Sequence, residues 1–157
     1  MSQNFLEPYY NFIKNYTFLD KPILLGGGAM QHYGIRNCGH DLDMMISQRD
    51  KEILLKEGYP LNLFGGKTEK DVDATFSNIL ELDLDLVITL NQYDYNFFLE
   101  KATEYLPEKN LLIISLEDLL LTKIFAQTYS NFPKHKKDVE LLIKGIERKQ
   151  YPHLESP

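Results

Sequence analysis

The stretch from residue 25 to residue 46 decides the fold. It begins Leu25-Gly26-Gly27-Gly28-Ala29 and ends His40-Asp41-Leu42-Asp43-Met44-Met45-Ile46. The apolar residues 23–25, which lead into this stretch, are typical of a short buried strand, and three successive glycines predict a tight turn, because glycine reaches left-handed conformations at little cost. Residues 29–33 predict a short helix that Gly34 ends. Residues 40–47 predict the next strand.

The two acids in this predicted strand point to a cation. Side chains alternate between the faces of a strand, so Asp41 and Asp43 share one face at a separation of about 7 Å. Two carboxylates at that distance repel each other unless a cation or hydrogen bonds intervene. Oxygen ligands in this arrangement suit Mg²⁺. The alternative is a solvent-facing acidic pair on an edge strand.

The glycines suggest a site for an anion beside these acids. At the start of a helix, Gly26, Gly27 and Gly28 would leave backbone N–H groups aimed at a phosphate. The alternative is a tight turn with no further role. The sequence lacks both the Gly-Lys-Ser/Thr of a P-loop and the GxGxxG pattern.

A second acidic strand is predicted over residues 79–90. In this segment Glu81, Asp83 and Asp85 alternate with leucines, which is typical of a half-buried strand with one polar face. If this strand neighbours the first, Asp83 or Asp85 completes a carboxylate cluster. The alternative is a solvated acidic face.

The rest of the chain alternates between predicted helices and strands, which indicates an α/β or α+β class with a short mixed sheet and a C-terminal helical pair. Ser115 to Asp118 has the form of a capping box, and Pro133 suits the first turn of a last helix. The predicted helices are 7–16, 48–56, 93–105, 115–129 and 133–146, and the further strands are 61–64 and 111–114.

Size and composition predict one cytoplasmic domain. The 157 residues suffice for one self-sufficient core, predicted over 1–150 with a frayed tail at 151–157. A single cysteine, Cys38, fits a reducing compartment, and no segment resembles a signal peptide or a membrane span. The net charge of −6 argues weakly against a duplex nucleic-acid partner, although Lys134, His135, Lys136 and Lys137 form a local basic stretch.

The segment from Gly26 to Asp43 resembles the signature of the polymerase-beta-like nucleotidyltransferase superfamily. The residues Gly26-Gly27-Gly28-Ala29, Tyr33-Gly34, Arg36 and Asp41-Leu42-Asp43 follow the "GG-x-A … G … R … DLD" form of its small bacterial members. Residues 115–123 and 137–142 are similar to the "edL…K…KD…DL" tail of that group, which includes abortive-infection-type toxins and antibiotic nucleotidyltransferases. Gly28 and Gly39 stand where the family often carries Ser or Thr.

The resemblance implies a nucleotidyltransferase fold and the transfer of a nucleoside monophosphate from an NTP to an acceptor hydroxyl, with two Mg²⁺ ions as cofactor. It implies that Asp41, Asp43 and Asp85 bind the metal and act in catalysis. It also implies that Gly26, Gly27 and Gly28 lie along the triphosphate. Lys123 would reach a phosphate, or be a solvated helix lysine.

Three functions remain open at this stage. The first is a transferase acting on RNA such as a tRNA end, as a toxin with an antitoxin partner would. The second is a transferase acting on a small molecule such as an antibiotic, for which the acidic balance suits a cationic drug. The third is a nucleotide-binding or regulatory module without turnover. His40 is expected to face away from Asp41, Arg36 to be structural, and Lys137 to pair with Asp138 on a helix surface.

Overall fold

The computed structural model describes residues 5–64, 73–129 and 132–150. The predicted tail at 151–157 lies outside these residues. The class is mixed α+β, with a mixed sheet flanked by helices and a C-terminal helical pair, as the sequence predicts. None of the described helices has both the length and the apolar character needed to span a bilayer.

One mixed sheet contains the eight strands found in the described residues. Its order is β3-β4-β5-β2-β1-β8-β7, and β6 pairs with β5 outside this path. The central strands β5 and β2 run parallel, as do β1 and β8, whereas β2 and β1 are antiparallel. The strands are β1 Ile23–Leu24, β2 Leu42–Met45, β3 Asn62–Phe64, β4 Asp73–Phe76, β5 Leu84–Leu90, β6 Tyr93–Asp94, β7 Thr103–Leu106 and β8 Leu111–Ile113.

The helices cover this sheet and enclose an apolar core. Met44, Met45 and Ile46 of the central region are fully buried, as are Phe12 of the first helix and Leu142 of the last. Helix α2 packs on β2, and the last two helices pack on each other. The helices are α1 Glu7–Ile13, α2 Gly26–His32, α3 Gln48–Lys56, α4 Tyr95–Leu99, α5 Leu116–Tyr129 and α6 Pro133–Gln150.

The predicted helix over 93–105 is wrong. The chain forms β6, the short helix α4 and the strand β7 in this region. Asn91 and Gln92 adopt positive φ and turn the chain back after β5. Asp94 then caps α4 by accepting from the Phe97 N–H, and β7 pairs with β8. Tertiary pairing therefore outweighs the helical spacing of the aromatic residues.

Several predicted elements differ in extent from the observed ones; the helix predicted over 7–16 ends at Ile13, and the last helix continues to Gln150. The glycines of the predicted turn lie inside α2, which begins at Gly26. The strand predicted over 40–47 is shorter, Leu42–Met45, and the strand predicted over 79–90 begins only at Leu84, after a turn at 78–81. Strand β4 was not predicted, because its four residues carry little pattern of their own.

Candidate active site

Gly26, the first residue of α2, lies directly against Asp43. Gly26 has a φ of +53°, and a Cβ added there would lie 2.6 Å from Oδ2 of Asp43. The Leu25 N–H also donates to the Asp43 carbonyl oxygen over 2.9 Å. Glycine suits position 26 because it lacks a Cβ that would collide with Asp43 and because it reaches positive φ without strain. The start of α2 therefore brings its backbone into contact with Asp43, an acid predicted to bind metal.

The other two glycines have different surroundings. Gly27 lines the cavity described below, and a Cβ added at this position would lie 3.2 Å from the backbone N of Gly39. Gly28 is buried, and a Cβ there would lie 2.8 Å from Cδ1 of Leu24. Of the three glycines predicted to follow a triphosphate, Gly27 thus lines the cavity, Gly26 contacts Asp43, and Gly28 packs into the core.

The sheet brings the predicted acids together. The parallel pairing of β2 with β5 sets Asp43 directly opposite Asp85. Asp41 lies just before β2, and all three acids line one cavity of about 410 Å³. Asp83 precedes β5, is exposed, and is not among the described residues that line this cavity. The third acid of the cluster is therefore Asp85.

The central carboxyl of this cluster, Asp43, has a strongly raised pKa. Burial and, to a lesser extent, repulsion from Asp85 raise the pKa of Asp43 to about 7. The nearby charge of Lys123 acts in the opposite direction. The two carboxyl groups lie on directly paired residues of neighbouring strands. Protonation of Asp43 would remove the repulsion that two adjacent carboxylates otherwise experience.

Asp85 is also held by the backbone. The Asn78 N–H donates to Oδ1 of Asp85 over 2.8 Å. Burial raises the pKa of Asp85, and this hydrogen bond opposes the rise. Asn78 has a φ of +46°, a left-handed conformation that asparagine adopts more readily than most residues.

A buried ion-pair network forms the basic part of the site. Arg36 donates to Asp138 through Nε over 2.7 Å and Nη2 over 2.9 Å, and Lys123 Nζ lies 3.2 Å from Oδ2 of the same carboxylate. Asp138 is only 2% exposed. Burial alone would raise the pKa of Asp138, but the Arg36 hydrogen bonds and the charge of Lys123 hold it below the ordinary value. Burial lowers the pKa of Lys123 despite its acidic neighbour.

Acidic and basic side chains share the cavity. Lys134, at the start of α6, is exposed and lines it together with Arg36 and Lys123. A volume of this size falls within the range of small-molecule sites. The described lining residues are Gly27, Arg36, Gly39, His40, Asp41, Asp43, Asp85, Lys123 and Lys134.

Two sequence expectations about neighbouring residues do not hold. His40 lines the same cavity as Asp41 instead of facing away, because β2 begins at Leu42 and strand alternation does not extend to residue 40. Asp138 is buried against Arg36 and Lys123 and does not form a surface pair with Lys137. The structural role expected for Arg36 agrees with its bidentate pairing.

The acids suit Mg²⁺ in donor type but do not form a complete cage. Among the described residues, no group of three or more His, Cys, Asp or Glu side chains is arranged as a metal site. Mg²⁺ is commonly bound by one or two carboxylates, with water and substrate phosphates completing its octahedron. The side chains of Asp43 and Asp85 offer only oxygen donors, and a cation bound there would relieve the repulsion that helps to raise the pKa of Asp43.

Sequence reasoning missed Asn78 and the role of Asp138. An asparagine just before an acidic strand is a weak signal, since its part in the site depends on a positive φ. Asp138 lies 102 residues from Arg36 in the chain, so no local pattern reveals their pairing.

Comparison of the chain with protein-family models and with curated proteins found no match.

Proposed function

We propose that this protein is a Mg²⁺-dependent nucleotidyltransferase that moves a nucleoside monophosphate from an NTP to an acceptor hydroxyl. The observation that supports this function is one cavity lined by three acids and three basic residues, in which paired strands set Asp43 opposite Asp85. A metal–nucleotide has matching chemistry, with a cation for the carboxylates and a polyphosphate for the basic side chains. The resemblance of the Gly26 to Asp43 segment to the nucleotidyltransferase superfamily supports the same reaction.

The three acids would have different roles in the reaction. Asp41, Asp43 and Asp85 would hold Mg²⁺, and Asp85 would accept the proton of the acceptor hydroxyl. The acceptor oxygen bonds to the α-phosphorus, the bond from that phosphorus to the α–β bridging oxygen breaks, and pyrophosphate leaves. When bound, Mg²⁺ supplies charge stabilisation of the attacking and leaving oxygens.

The basic residues would position the nucleotide. Lys123 is held by Asp138 at 3.2 Å and still lines the cavity, so its ammonium is oriented before a ligand arrives. A fixed cation stabilises phosphate charge without reorganisation during the reaction. Gly27 lines the same cavity and carries no side chain that would keep a phosphate from the backbone.

The three functions left open by the sequence differ in the acceptor. An RNA acceptor is favoured by Lys134, Lys136 and Lys137, which are exposed at the start of α6, with Lys134 also lining the cavity. A small cationic acceptor such as an antibiotic is favoured by the net charge of −6. The third function is nucleotide binding without transfer.

A labelling assay tests the proposal. The protein is incubated with Mg²⁺ and each α-labelled NTP in turn, together with tRNA, total protein or a panel of antibiotics. Label on tRNA supports the toxin-like function, and co-expression with the product of an adjacent gene then tests for an antitoxin. Label on a drug supports the second function, whereas NTP binding without label supports the third.

The Asp43→Ala variant tests the metal assignment within this assay. We expect it to abolish transfer while the fold is retained, because the carboxylate opposite Asp85 is lost. Asp83→Ala is the matched control, since Asp83 is an exposed acid just before β5, the strand of Asp85, and does not line the cavity. Normal turnover by Asp43→Ala with Mg²⁺ would show that the assignment is wrong.

A further inference from the structure

The turn before β5 has an unusual backbone. Three of its four residues, Asn78, Leu80 and Glu81, have positive φ values of 46°, 54° and 58°. Asparagine tolerates this region, but leucine and glutamate rarely occupy it, because their Cβ crowds the following carbonyl oxygen. Strained conformations of this kind persist when the surrounding structure requires them, and they concentrate at functional sites.

Local contacts hold the turn in place. Ile79 is 3% exposed and anchors it in the core, while the Glu81 N–H donates to the Asn78 carbonyl over 2.9 Å. The Leu82 N–H likewise donates to the Ile79 carbonyl over 3.0 Å. Leu80 is 52% exposed, so packing of its side chain does little to offset its strain.

The strained backbone has one visible consequence in the candidate site. It directs the Asn78 N–H to Oδ1 of Asp85, 2.8 Å away. A carboxylate has two oxygens, so fixing one of them sets the orientation of the other. Asp85 also pairs directly with Asp43 across β5 and β2, so the turn and the strand register together set where this carboxylate lies.

We propose that residues 78–81 are a positioning element for Asp85, in which the left-handed backbone occupies one carboxylate oxygen and leaves the second for Asp43 and a divalent cation. Asn78 is a positioning residue that acts through Asp85, and its backbone N–H is the group required. The binding of a cation rests on the proposed function, whereas the orientation of Asp85 by the turn does not.

Substitutions ranked by their tolerance of positive φ test this role. We expect Asn78→Gly, Leu80→Gly and Leu80→Asn to bind Mn²⁺ with a non-hydrolysable NTP analogue as wild type does. Asn78→Val and Leu80→Val should bind Mn²⁺ about 10- to 100-fold more weakly, as loss of an outer-shell partner commonly does. Leu19→Val is the matched control, because Leu19 is 53% exposed and lacks a positive φ.

The ranking separates positioning from direct contact by the side chain. If the Leu80 side chain itself contacted substrate, glycine and asparagine would lose binding as valine does, and that result would overturn the proposal. Equal binding by Leu80→Val and Leu80→Gly would also overturn it. Urea unfolding of each variant checks the fold, and we expect Leu80→Gly to be at least as stable as Leu80→Val.

Amide hydrogen exchange gives a readout that needs no metal. In wild type the Asn78 amide should be protected, and in Asp85→Ala it should exchange about tenfold faster or more, because a hydrogen bond to a charged group is lost. Equal exchange in the two proteins would contradict the positioning role. If wild type binds no metal–nucleotide, the proposed function fails, and the amide exchange still decides whether the turn positions Asp85.

Discussion

Replacing Asp43 by Asn should stabilise the metal-free protein at alkaline pH. Asparagine has the shape of the protonated carboxyl and carries no charge, so the variant resembles the site with Asp43 protonated. The wild-type carboxyl must ionise beside Asp85 once the pH exceeds its folded pKa of about 7. Ionisation introduces a partly buried charge that the variant lacks.

The pKa of Asp43 sets the magnitude and the pH window. The pKa of the Asp43 carboxyl rises from 3.8 to about 7 on folding. Between these two pH values the folded state therefore binds more protons than the unfolded state. Wild-type stability therefore falls as the pH rises from about 4 to 7, and the fall is complete above that range. The expected gain is about 2–4 kcal/mol, since three pKa units correspond to an upper limit of about 4 kcal/mol and coupling to the ionisation of Asp85 can lower it.

Urea unfolding at several pH values measures this gain. The difference between Asp43→Asn and wild type should be greatest at about pH 8 and smallest at about pH 4, where the Asp43 carboxyl of the folded protein is protonated. Asp83→Asn is the control, and its stability should stay within about 0.5 kcal/mol of wild type, as for most surface changes. Added Mg²⁺ should stabilise wild type at pH 8 and have little effect on Asp43→Asn.

Two results would refute the reasoning about Asp43. The first is a variant that is no more stable than wild type at pH 8, which would mean that burial of the charge is not unfavourable. The second is a gain of equal size at every pH, which would indicate a change in packing and not in ionisation.

Three further changes have definite expected results. Gly26→Ala should lower the free energy of unfolding by about 2 kcal/mol or more in urea, because the new Cβ meets Oδ2 of Asp43 at positive φ. Asp138→Asn should lower it by about 3 kcal/mol at neutral pH, since Arg36 and Lys123 lose a buried partner. The folded pKa of Asp138 lies below 3.8, so this loss should be complete above that pH and should shrink as the pH falls below it. Lys123→Met should raise the pKa of Asp43 further, as carboxyl NMR titration would show, because the lysine charge now lowers it.

The local part of the site was predictable from the sequence. Gly26, Asp41 and Asp43 lie within one short segment, so turn chemistry and strand alternation indicate that they meet. To predict that Asp85 joins them, one must also know that β2 pairs in parallel with β5, and no local pattern contains this pairing. The sequence therefore left Asp83 and Asp85 as alternatives, and the strand register distinguishes them.

The parts that could not be predicted depend on contacts distant in the chain. Residues 103–106 form an edge strand because β8 is available to pair with them, although their spacing with the preceding aromatic residues suits a helix. The ion pairs of Asp138 join α6 to Arg36 and to α5, and they too arise from packing of the C-terminal helices. The strained turn at 78–81 could not be predicted either, since Leu80 and Glu81 individually disfavour the positive φ that they adopt.

The cavity draws its walls from three widely spaced parts of the chain: residues 27–43, Asp85, and the two C-terminal helices. No partial fold that omits one of these parts retains the complete set of ligand contacts. A compound that binds in the cavity should therefore bind the fully folded protein and not a partly folded one. Its binding should raise the free energy of global unfolding. At a hundred times its Kd, such a compound would add about 2.7 kcal/mol.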